Sequence, residues 1–487
     1  MTMTADLVIS GGTVVTETAA FRASVAITAG RIIAVGEDGA MPPAAEHIEA
    51  AGLHILPGAI DVHVHIREPG YTHKEDWATG TAAAACGGVT TIFDMPNTKP
   101  PTGTPEALVM KLAAANEKAF VDFGIYGLLD EDNIDGLDAL IEGGVAAFKC
   151  FMGNTFGNLP APSDGAMLEG FEILARHGVR CTVHAETASI LARREAKMRA
   201  AGRTDPLAHL AARPPVAAME AVQRAALYAE WTGARLHVAH VSSADELRPL
   251  REAKARGVDV TAETCPHYLM LDTEDYARCG SLIRVNPPVR EAHHKALLWA
   301  AIRDRTIDMI STDHAPHTPD EKYRDDIWTA DCGFPGVESQ MPLMLTAVAR
   351  GEILITDYVR LSSAAPARAF GLYPRKGALL PGADADLAVV DLGANSRIDQ
   401  AMLHSRRARI TPFHGRALKG VPVHTLVRGR FVMRERELVA AARGWGQSVR
   451  RIQEMPAPAP RNIAQTTAAI LRRPDHPVPG KLSPSRF

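Results

Sequence analysis

Two histidines one residue apart, His63 and His65, are the first side chains in the chain that could bind a metal ion. They end an apolar, strand-like run, and residues two apart on a strand point to the same side. A chain with 19 histidines is expected to contain such a pair by chance. The pair alone therefore does not distinguish a metal site from two ordinary strand histidines.

Later strand-like runs carry further candidates at or near their ends: Lys149, His184, His240 and Asp313. If these runs are strands four, five, six and eight of a parallel barrel, their carboxyl ends meet at one mouth, where this fold places catalytic groups. Imidazole and carboxylate ligands suit zinc, and cobalt and manganese have overlapping preferences. The positions together predict a metal site.

Lys149 is the unusual candidate, because an ammonium cannot bind a cation. It lies in the apolar run VAAFKCFMG, where burial is expected to lower its pKa and to free the amine. A neutral amine can add carbon dioxide to form a carbamate, which can bridge two cations. The alternative is a structural lysine that reaches a carboxylate or solvent, and the neighbouring ligand candidates favour the carbamate.

The elements that must position these side chains alternate between short apolar runs and segments of helical spacing from Ala51 to about Leu372. The strand candidates are ILPGAIDVHVH, GVTTIFDMPN, VDFGIYGLL, VAAFKCFMG, VRCTVHAE, ARLHVAHVS, VDVTAETCPHYLML and IDMISTDHAP. Helical spacing is found in PEALVMKLAAANEKA, SADELRPLREAKARG and EAHHKALLWAAIRDR. Eight such units predict an α/β protein with a (β/α)8 TIM barrel.

Both flanks carry Val- and Ile-rich runs broken by glycine, and each flank is too short for a stable sheet of its own. We therefore predict one β-sandwich built from residues 1–58 and 373–442 beside a barrel of residues 59–372. Residues 443–487 are rich in proline and basic side chains, which is typical of an extended arm or a loose tail.

The composition excludes several classes of function. The chain has 487 residues with 53 Lys+Arg and 56 Asp+Glu, a net charge of −3, which argues against nucleic-acid or membrane-surface binding. Its six cysteines form no CxxC pair, and no apolar run has the length of a signal peptide or a membrane span. We expect a cytoplasmic protein that acts on a small molecule.

The chain resembles the cyclic amidohydrolases of the amidohydrolase superfamily, the group of dihydroorotase, hydantoinase and allantoinase, up to about residue 435. The motifs that carry the resemblance are PGAIDVHVHIREPG, GGVTTIFDMPNTKPPT, FKCFMGNTFGN, VHAET, HVAHVSS, ETCPHYL, NPPVR and STDHAPH. The resemblance implies a (β/α)8 barrel, a two-metal centre, hydrolysis of a cyclic amide or imide, and a homo-oligomer, commonly a dimer or tetramer.

The resemblance also assigns roles to the metal-site candidates. It implies two divalent ions, zinc by ligand type, with His63, His65 and Asp313 on the more buried ion. His184 and His240 then bind the second ion, and a carboxylated Lys149 bridges both. A hydroxide between the ions attacks the ring carbonyl, and the catalytic Asp313 carries the proton to the departing ring nitrogen.

A further set of residues predicts the substrate. Arg67, Asn97 and His317 resemble the set with which dihydroorotase grips the carboxylate of its ring, through charge-assisted hydrogen bonds. Asn286 in NPPVR resembles a ring-contacting position of the family. The main prediction is therefore reversible hydrolysis of dihydroorotate to N-carbamoyl-aspartate.

Other features keep alternatives open. ETCPHYL and GFPGVESQMPL are closer to hydantoinase or allantoinase, and 487 residues is long for a stand-alone dihydroorotase. Hydantoinase, dihydropyrimidinase or allantoinase activity is the alternative. A metal-free scaffold is a more remote one, because all six ligand candidates are present. His73 and Lys74, in the loop after the first barrel strand, receive no predicted role.

Overall fold

The structure is a computed structural model that describes residues 4–157, 159–405 and 409–451. The predicted Pro-rich arm lies outside the described residues from position 452 onward. Within the described part of the chain, no helix combines the length and the apolar character needed to cross a membrane.

The amino-terminal part contributes strands to a sheet beside the barrel. These strands are β1 Ala5–Val15, β2 Ala20–Thr28, β3 Arg31–Gly36, β4 Ala44–Glu49 and β5 His54–Pro57. Strand β1 pairs antiparallel with β2 and parallel with β4 and β5. The short, Val- and Ile-rich runs of the sequence form these strands, as their composition predicts.

The central part forms the predicted barrel. Its strands are β6 Ala59–Val64, β7 Val89–Asp94, β8 Asp122–Leu129, β9 Ala147–Phe151, β10 Arg180–His184, β11 Arg235–Val238, β12 Val260–Thr264 and β13 Met309–Ile310. They form an eight-stranded sheet in chain order, with parallel pairing between neighbours. The N–H of His65 donates to the carbonyl of His314 at 2.8 Å and connects the first strand with the last. The predicted (β/α)8 barrel is confirmed.

The carboxyl-terminal part completes the sheet that the amino terminus begins. Its strands are β14 Leu387–Arg397, β15 Ala417–Val427, β16 Arg430–Arg434 and β17 Glu437–Leu438. Strand β14 pairs antiparallel with β5 of the amino-terminal part, so the prediction of a β-domain built from both chain ends is confirmed. Its strands fall within 1–58 and 373–442, and we propose these domain boundaries.

Helices follow most barrel strands and cover the barrel. They are α1 Trp77–Cys86, α2 Pro105–Lys118, α3 Leu137–Gly143, α4 Asp164–His177, α5 Ala188–Ala200, α6 Pro206–Ala212, α7 Pro215–Thr232, α8 Leu247–Ala255, α9 Pro266–Met270, α10 Asp275–Cys279, α11 Ala292–Arg303, α12 Pro319–Lys322, α13 Gln340–Ala349, α14 Ile355–Val359 and α15 Ala365–Ala369. Short 3₁₀ turns lie at Asp38–Ala40, Ile134–Gly136, Ala244–Glu246, Gly280–Ile283, Ile327–Thr329, Gln400–Met402 and Ala440–Ala442, and a π-helical turn lies at Arg360–Ala364.

One predicted strand is shorter than its apolar run. The run VDVTAETCPHYLML ends as a strand at Thr264, and Pro266 opens helix α9. Proline suits the first turn of a helix because the N–H that it lacks has no partner there. The strand therefore ends directly before a helix at the barrel mouth.

Candidate metal centre

All six predicted ligands lie at the carboxyl ends of barrel strands. They are His63 within β6, His65 directly after it, Lys149 within β9, His184 at the end of β10, His240 two residues beyond β11 and Asp313 three residues beyond β13. None exposes more than 7 % of its surface. The strands of a (β/α)8 barrel all end at the same mouth, so the fold brings these side chains to one place.

The first ligand group consists of His63, His65 and Asp313. The Nε2 atoms of His63 and His65 lie 3.2 and 3.1 Å from Oδ1 of Asp313. One ligand atom from each residue lies within 4.8 Å of the others. Burial lowers the pKa of His65 to about 3, so the ring stays neutral, as a metal-binding imidazole must be.

The second ligand group adjoins the first. Nδ1 of His184 lies 2.9 Å from Nε2 of His240. The ring centroid of His240 is 5.2 Å from that of His63. Two imidazole nitrogens that converge beside a first cation-binding group are the arrangement that a two-metal centre requires.

Lys149 is buried beside these groups without a hydrogen-bond partner for its Nζ atom among the described residues. Burial lowers its pKa to about 8, although the carboxylates of Glu263 and Asp313 oppose that shift. A buried ammonium with no hydrogen bond is costly, so the neutral amine is far more accessible near neutral pH than it is for an ordinary lysine. This environment fits the chemistry that a carbamate at Lys149 would need.

Three residues of the mouth have a left-handed backbone that side chains seldom adopt. The φ angles are 67° for Arg67, 39° for His240 and 48° for Asp313. Such a conformation costs about 1–3 kcal/mol per residue and persists where the surroundings impose it. The chain therefore accepts local strain in order to aim these three side chains.

Three of the imidazoles predicted as ligands contact an oxygen atom through the ring nitrogen that faces away from the predicted ligand group. The pairs are His65 Nδ1 with Asn97 Oδ1 at 2.7 Å, His63 Nδ1 with Glu263 Oε1 at 2.5 Å, and His184 Nε2 with Glu186 Oε2 at 3.0 Å. A hydrogen bond of this kind fixes the tautomer and leaves the other nitrogen free to bind a metal.

Glu263 serves more than one histidine. Its Oε2 atom lies 3.1 Å from Nε2 of His237, and its Oε1 atom accepts the backbone N–H of His240 at 3.2 Å. Burial raises its pKa, but the imidazoles of His63 and His237 outweigh that effect and hold the pKa well below its usual range. Glu263 is therefore an ionised carboxylate that contacts one histidine of each predicted ligand group, His63 and His240.

Glu186 is held in turn by Arg213, whose Nη2 atom lies 2.5 Å from Oε2. The sequence-based prediction did not include Glu186, Glu263 or Arg213. A signal was available for the two acids, because both lie at barrel strand ends inside the motifs VHAET and ETCPHYL. Arg213 precedes helix α7 and had no such signal.

The structure brings two of the predicted substrate residues together. Nη2 of Arg67 lies 3.1 Å from Nε2 of His317, and its Nε atom donates to the carbonyl of Pro316 at 3.3 Å. Its guanidinium carbon lies 4.3 Å from the ring centroid of Phe156. The Nη1 atom of Arg67 is buried and has no hydrogen-bond partner among the described residues, so one charged donor is free for a ligand.

The other two predicted substrate residues contact protein groups. Asn97 holds His65, and its amide nitrogen donates to the carbonyl of Phe156 at 3.2 Å. Asn286 Oδ1 lies 2.8 Å from Nε2 of His209. The Nζ atom of Lys74, which had no predicted role, lies 2.9 Å from Nδ1 of His317. Asn97 is therefore placed to orient a ligand imidazole, and Lys74 belongs to the Arg67 side of the mouth.

Comparisons with known proteins agree with this geometry. A model of the amidohydrolase family matches residues 54–432. The chain is 38 % identical over 445 residues to an allantoinase of Deinococcus radiodurans, across 91 % of this chain and 98 % of the relative. It is 34 % identical to an L-hydantoinase of Paenarthrobacter aurescens, across 92 % and 98 % of the two chains. The solved structure of an L-hydantoinase (dihydropyrimidinase) from Arthrobacter aurescens superposes with a TM-score of 0.89, at 34 % identity, over 92 % of this chain and 100 % of that one.

Proposed function

The chain belongs to the amidohydrolase family, and on that premise we propose that it is a metal-dependent hydrolase that opens a cyclic ureide, with hydantoins and allantoin as the preferred substrate class. Hydrolysis of cyclic amides is what the named relatives have in common. The observation that supports the proposal is the convergence of the six predicted ligand side chains, from strands far apart in sequence, at one barrel mouth.

The residues fit a pair of divalent cations. We propose that His63, His65 and Asp313 hold one ion, that His184 and His240 hold the other, and that a carbamate on Lys149 lies between them. Two observations support this assignment: the Nζ atom of Lys149 is buried without a hydrogen-bond partner among the described residues, and Nδ1 of His184 lies close to Nε2 of His240. When bound, such ions lower the pKa of water and polarise a carbonyl group.

Asp313 supplies the proton transfer in this proposal. Burial raises its pKa, but the imidazoles of His63 and His65 outweigh that effect and keep the carboxylate ionised. It accepts a proton from the attacking water and returns it to the ring nitrogen when the C–N bond breaks. The second proton of the water is released to solvent, and the products are a free carboxylate and an open-chain ureido group.

The choice of ring follows from the relatives. The curated relatives named above are an allantoinase and a hydantoinase, which favours the alternative substrates of the sequence analysis over dihydroorotate, its main prediction. Dihydroorotate stays as the second candidate on one observation: the free, buried Nη1 donor of Arg67 could bind a ring carboxylate.

A substrate panel on the purified, metal-analysed protein tests the proposal. Initial rates on allantoin, 5-substituted hydantoins, dihydrouracil and dihydroorotate separate the candidates, and we expect the highest kcat/KM on allantoin or a hydantoin. Preference for dihydroorotate would favour the second candidate. Absence of turnover on every ring, together with no bound metal by elemental analysis, would support the metal-free scaffold instead.

The variant Arg67→Met tests the carboxylate contact separately. A charge-assisted hydrogen bond contributes about 1.5–3 kcal/mol, so its loss should lower kcat/KM for a carboxylated ring about 10- to 100-fold and affect an uncharged hydantoin much less. Arg203→Met is the control, because it removes an exposed arginine that pairs with Asp205. Equal losses on both substrates would rule out a selective role in carboxylate binding.

A further inference from the structure

A second group of ligand-type side chains lies away from the barrel mouth. Cys86 is the last residue of α1, Glu338 precedes α13, and His404 lies between β14 and β15. The Sγ atom of Cys86 lies 3.6 Å from Nε2 of His404. The group therefore joins the barrel to the carboxyl-terminal part of the sheet.

Glu338 fixes the histidine in place. Its Oε1 atom lies 2.9 Å from Nδ1 of His404, and its Oε2 atom accepts the backbone N–H of the same residue at 2.8 Å. This double contact orders the ring and selects the tautomer with the proton on Nδ1. The same contact with Glu338 raises the pKa of His404. In the neutral ring Nε2 accepts from the Cys86 thiol, and a cation would take the place of that thiol proton.

Cys86 and His404 line a cavity of about 470 Å³ whose wall also contains several charged side chains. Among the lining residues are the carboxylates Glu435 and Glu437 and the cations Arg397 and Arg436. The cavity gives a small solute access to the sulfur and the imidazole. It lies outside the mouth lined by the predicted ligands of the two-metal centre.

A sulfur, an imidazole and a carboxylate in this order could form a nucleophilic triad or a metal site. Burial raises the pKa of the Cys86 thiol, and the charges of Glu338 and Glu437 raise it further. A thiolate nucleophile is therefore disfavoured in the free protein. A bound cation would instead favour the thiolate, because its charge compensates the carboxylates of Glu338 and Glu437 and it displaces the thiol proton.

The separation of the two donor atoms fits a tetrahedral ion. With Zn–S of about 2.3 Å and Zn–N of about 2.0–2.1 Å, tetrahedral coordination places sulfur and nitrogen about 3.5 Å apart. The observed Sγ–Nε2 distance is 3.6 Å. The carboxylate behind the imidazole matches the arrangement in which an acid orients a metal-bound histidine.

We propose that Cys86 and His404 form a second cation site, for one soft divalent ion of the zinc type, with Glu338 as the positioning residue. Glu437, whose carboxylate lines the same cavity, is available as a further ligand. On binding, the Cys86 thiol releases its proton to solvent and the ion takes its place. The ion would then connect α1 to the segment between β14 and β15. This inference is independent of the proposed hydrolase activity.

Cobalt titration of the full-length protein tests the site, because a cobalt–thiolate bond gives an ultraviolet charge-transfer band that imidazole and carboxylate ligands do not give. We expect the band to correspond to one cobalt–thiolate bond per chain in the unmodified protein. It should be lost in Cys86→Ser and in Cys86→Ala. His404→Gln should weaken cobalt binding at least about tenfold, as loss of one ligand or its support does.

Two matched variants control the assignment. Cys332→Ser removes the other partly exposed cysteine of the described residues, and His414→Gln removes an exposed imidazole of the same segment. Both should keep the band and its affinity. Absence of a thiolate band in the unmodified protein, or its persistence in both Cys86 variants with native circular dichroism, would overturn the proposal.

Discussion

A buried carboxylate beside a ligand imidazole acts on a metal centre without touching the ion. Glu263 contacts His63, His237 and the backbone of His240, whereas Glu186 contacts His184 and is paired with Arg213. The two acids differ in what their loss leaves behind. Without Glu186 a buried guanidinium loses its charge partner, which costs stability, and without Glu263 the imidazoles lose their common acceptor.

Glu263→Gln is therefore expected to lower metal affinity about 10- to 100-fold at nearly unchanged side-chain volume. Chelator competition measures the affinity, and thermal unfolding of the metal-free protein checks the fold. Glu252→Gln, in an exposed acid of α8, is the control. Unchanged metal affinity in Glu263→Gln would show that the carboxylate does not position the ligands.

Lys149 is the residue on which the proposed bridged pair of ions depends. Lys149→Ala should reduce bound metal from two ions to one or none, and a small carboxylic acid should restore part of the metal content and turnover, because it can replace the carbamate. Elemental analysis and initial rates measure both effects. Lys197→Ala, at an exposed position of α5, is the control. Full metal content in Lys149→Ala would contradict the bridge.

At the scale of the element, the sequence predicts the barrel strands and their polar ends well, because buried parallel strands are short apolar runs. It does not predict where one apolar run divides. ILPGAIDVHVH reads as a single strand, yet His54–Pro57 belongs to the sheet of the chain ends and Ala59–Val64 to the barrel. The division depends on tertiary contacts of Gly58, whose N–H donates to the carbonyl of Asp386 at 2.9 Å. The orienting role of Glu263 is hidden in the sequence because its partners His63 and His237 come from other strands, whereas Glu186 lies only two residues after its partner His184.

Gly58 is required at this division because a β-carbon there would lie 2.2 Å from the side chain of Thr90. Gly58→Ala should lower the free energy of unfolding by about 1–3 kcal/mol, the usual cost of overpacking. Urea-induced unfolding measures the change. Gly39→Ala, where no atom lies within 4 Å of the added carbon, is the control and should change stability by no more than about 0.5 kcal/mol. Equal stability of the two variants would refute the packing argument.

At the scale of the whole molecule, one lysine joins the barrel to the sheet of the chain ends. Nζ of Lys376 lies 2.6 Å from a carboxylate oxygen of Asp122, which begins β8, and 2.6 Å from one of Asp386, which precedes β14. Lys376 is 1 % exposed. Asp122 also pairs with Arg428, between β15 and β16. Asp122 lies 254 residues from Lys376 in the sequence, so no local pattern predicts the cluster of Lys376, Asp122 and Asp386.

Removal of Lys376 should weaken the contact between the barrel and the sheet of the chain ends. Lys376→Met leaves buried carboxylates without their partner and should lower the free energy of unfolding by about 3–5 kcal/mol. Lys295→Met, which breaks a partly exposed pair with Asp272, should cost about 1 kcal/mol or less. Urea-induced unfolding of both variants measures the difference, and similar losses would mean that the Lys376 cluster stabilises no more than a surface pair.

The pH dependence of the same variant checks the cause. Burial lowers the pKa of Lys376, but the carboxylates of Asp386 and Asp122 outweigh that effect and raise it above its usual range. A raised pKa means that the folded state holds the proton more tightly than the unfolded chain does, so the stabilisation is complete below the ordinary lysine pKa of about 10.4 and declines as the pH rises above it. The stability gap between the unmodified protein and Lys376→Met should therefore be constant from pH 6 to about 9 and should narrow at higher pH. A gap that stays the same up to pH 11 would assign the loss to packing of the lysine stem, because only the charge is removed by alkali.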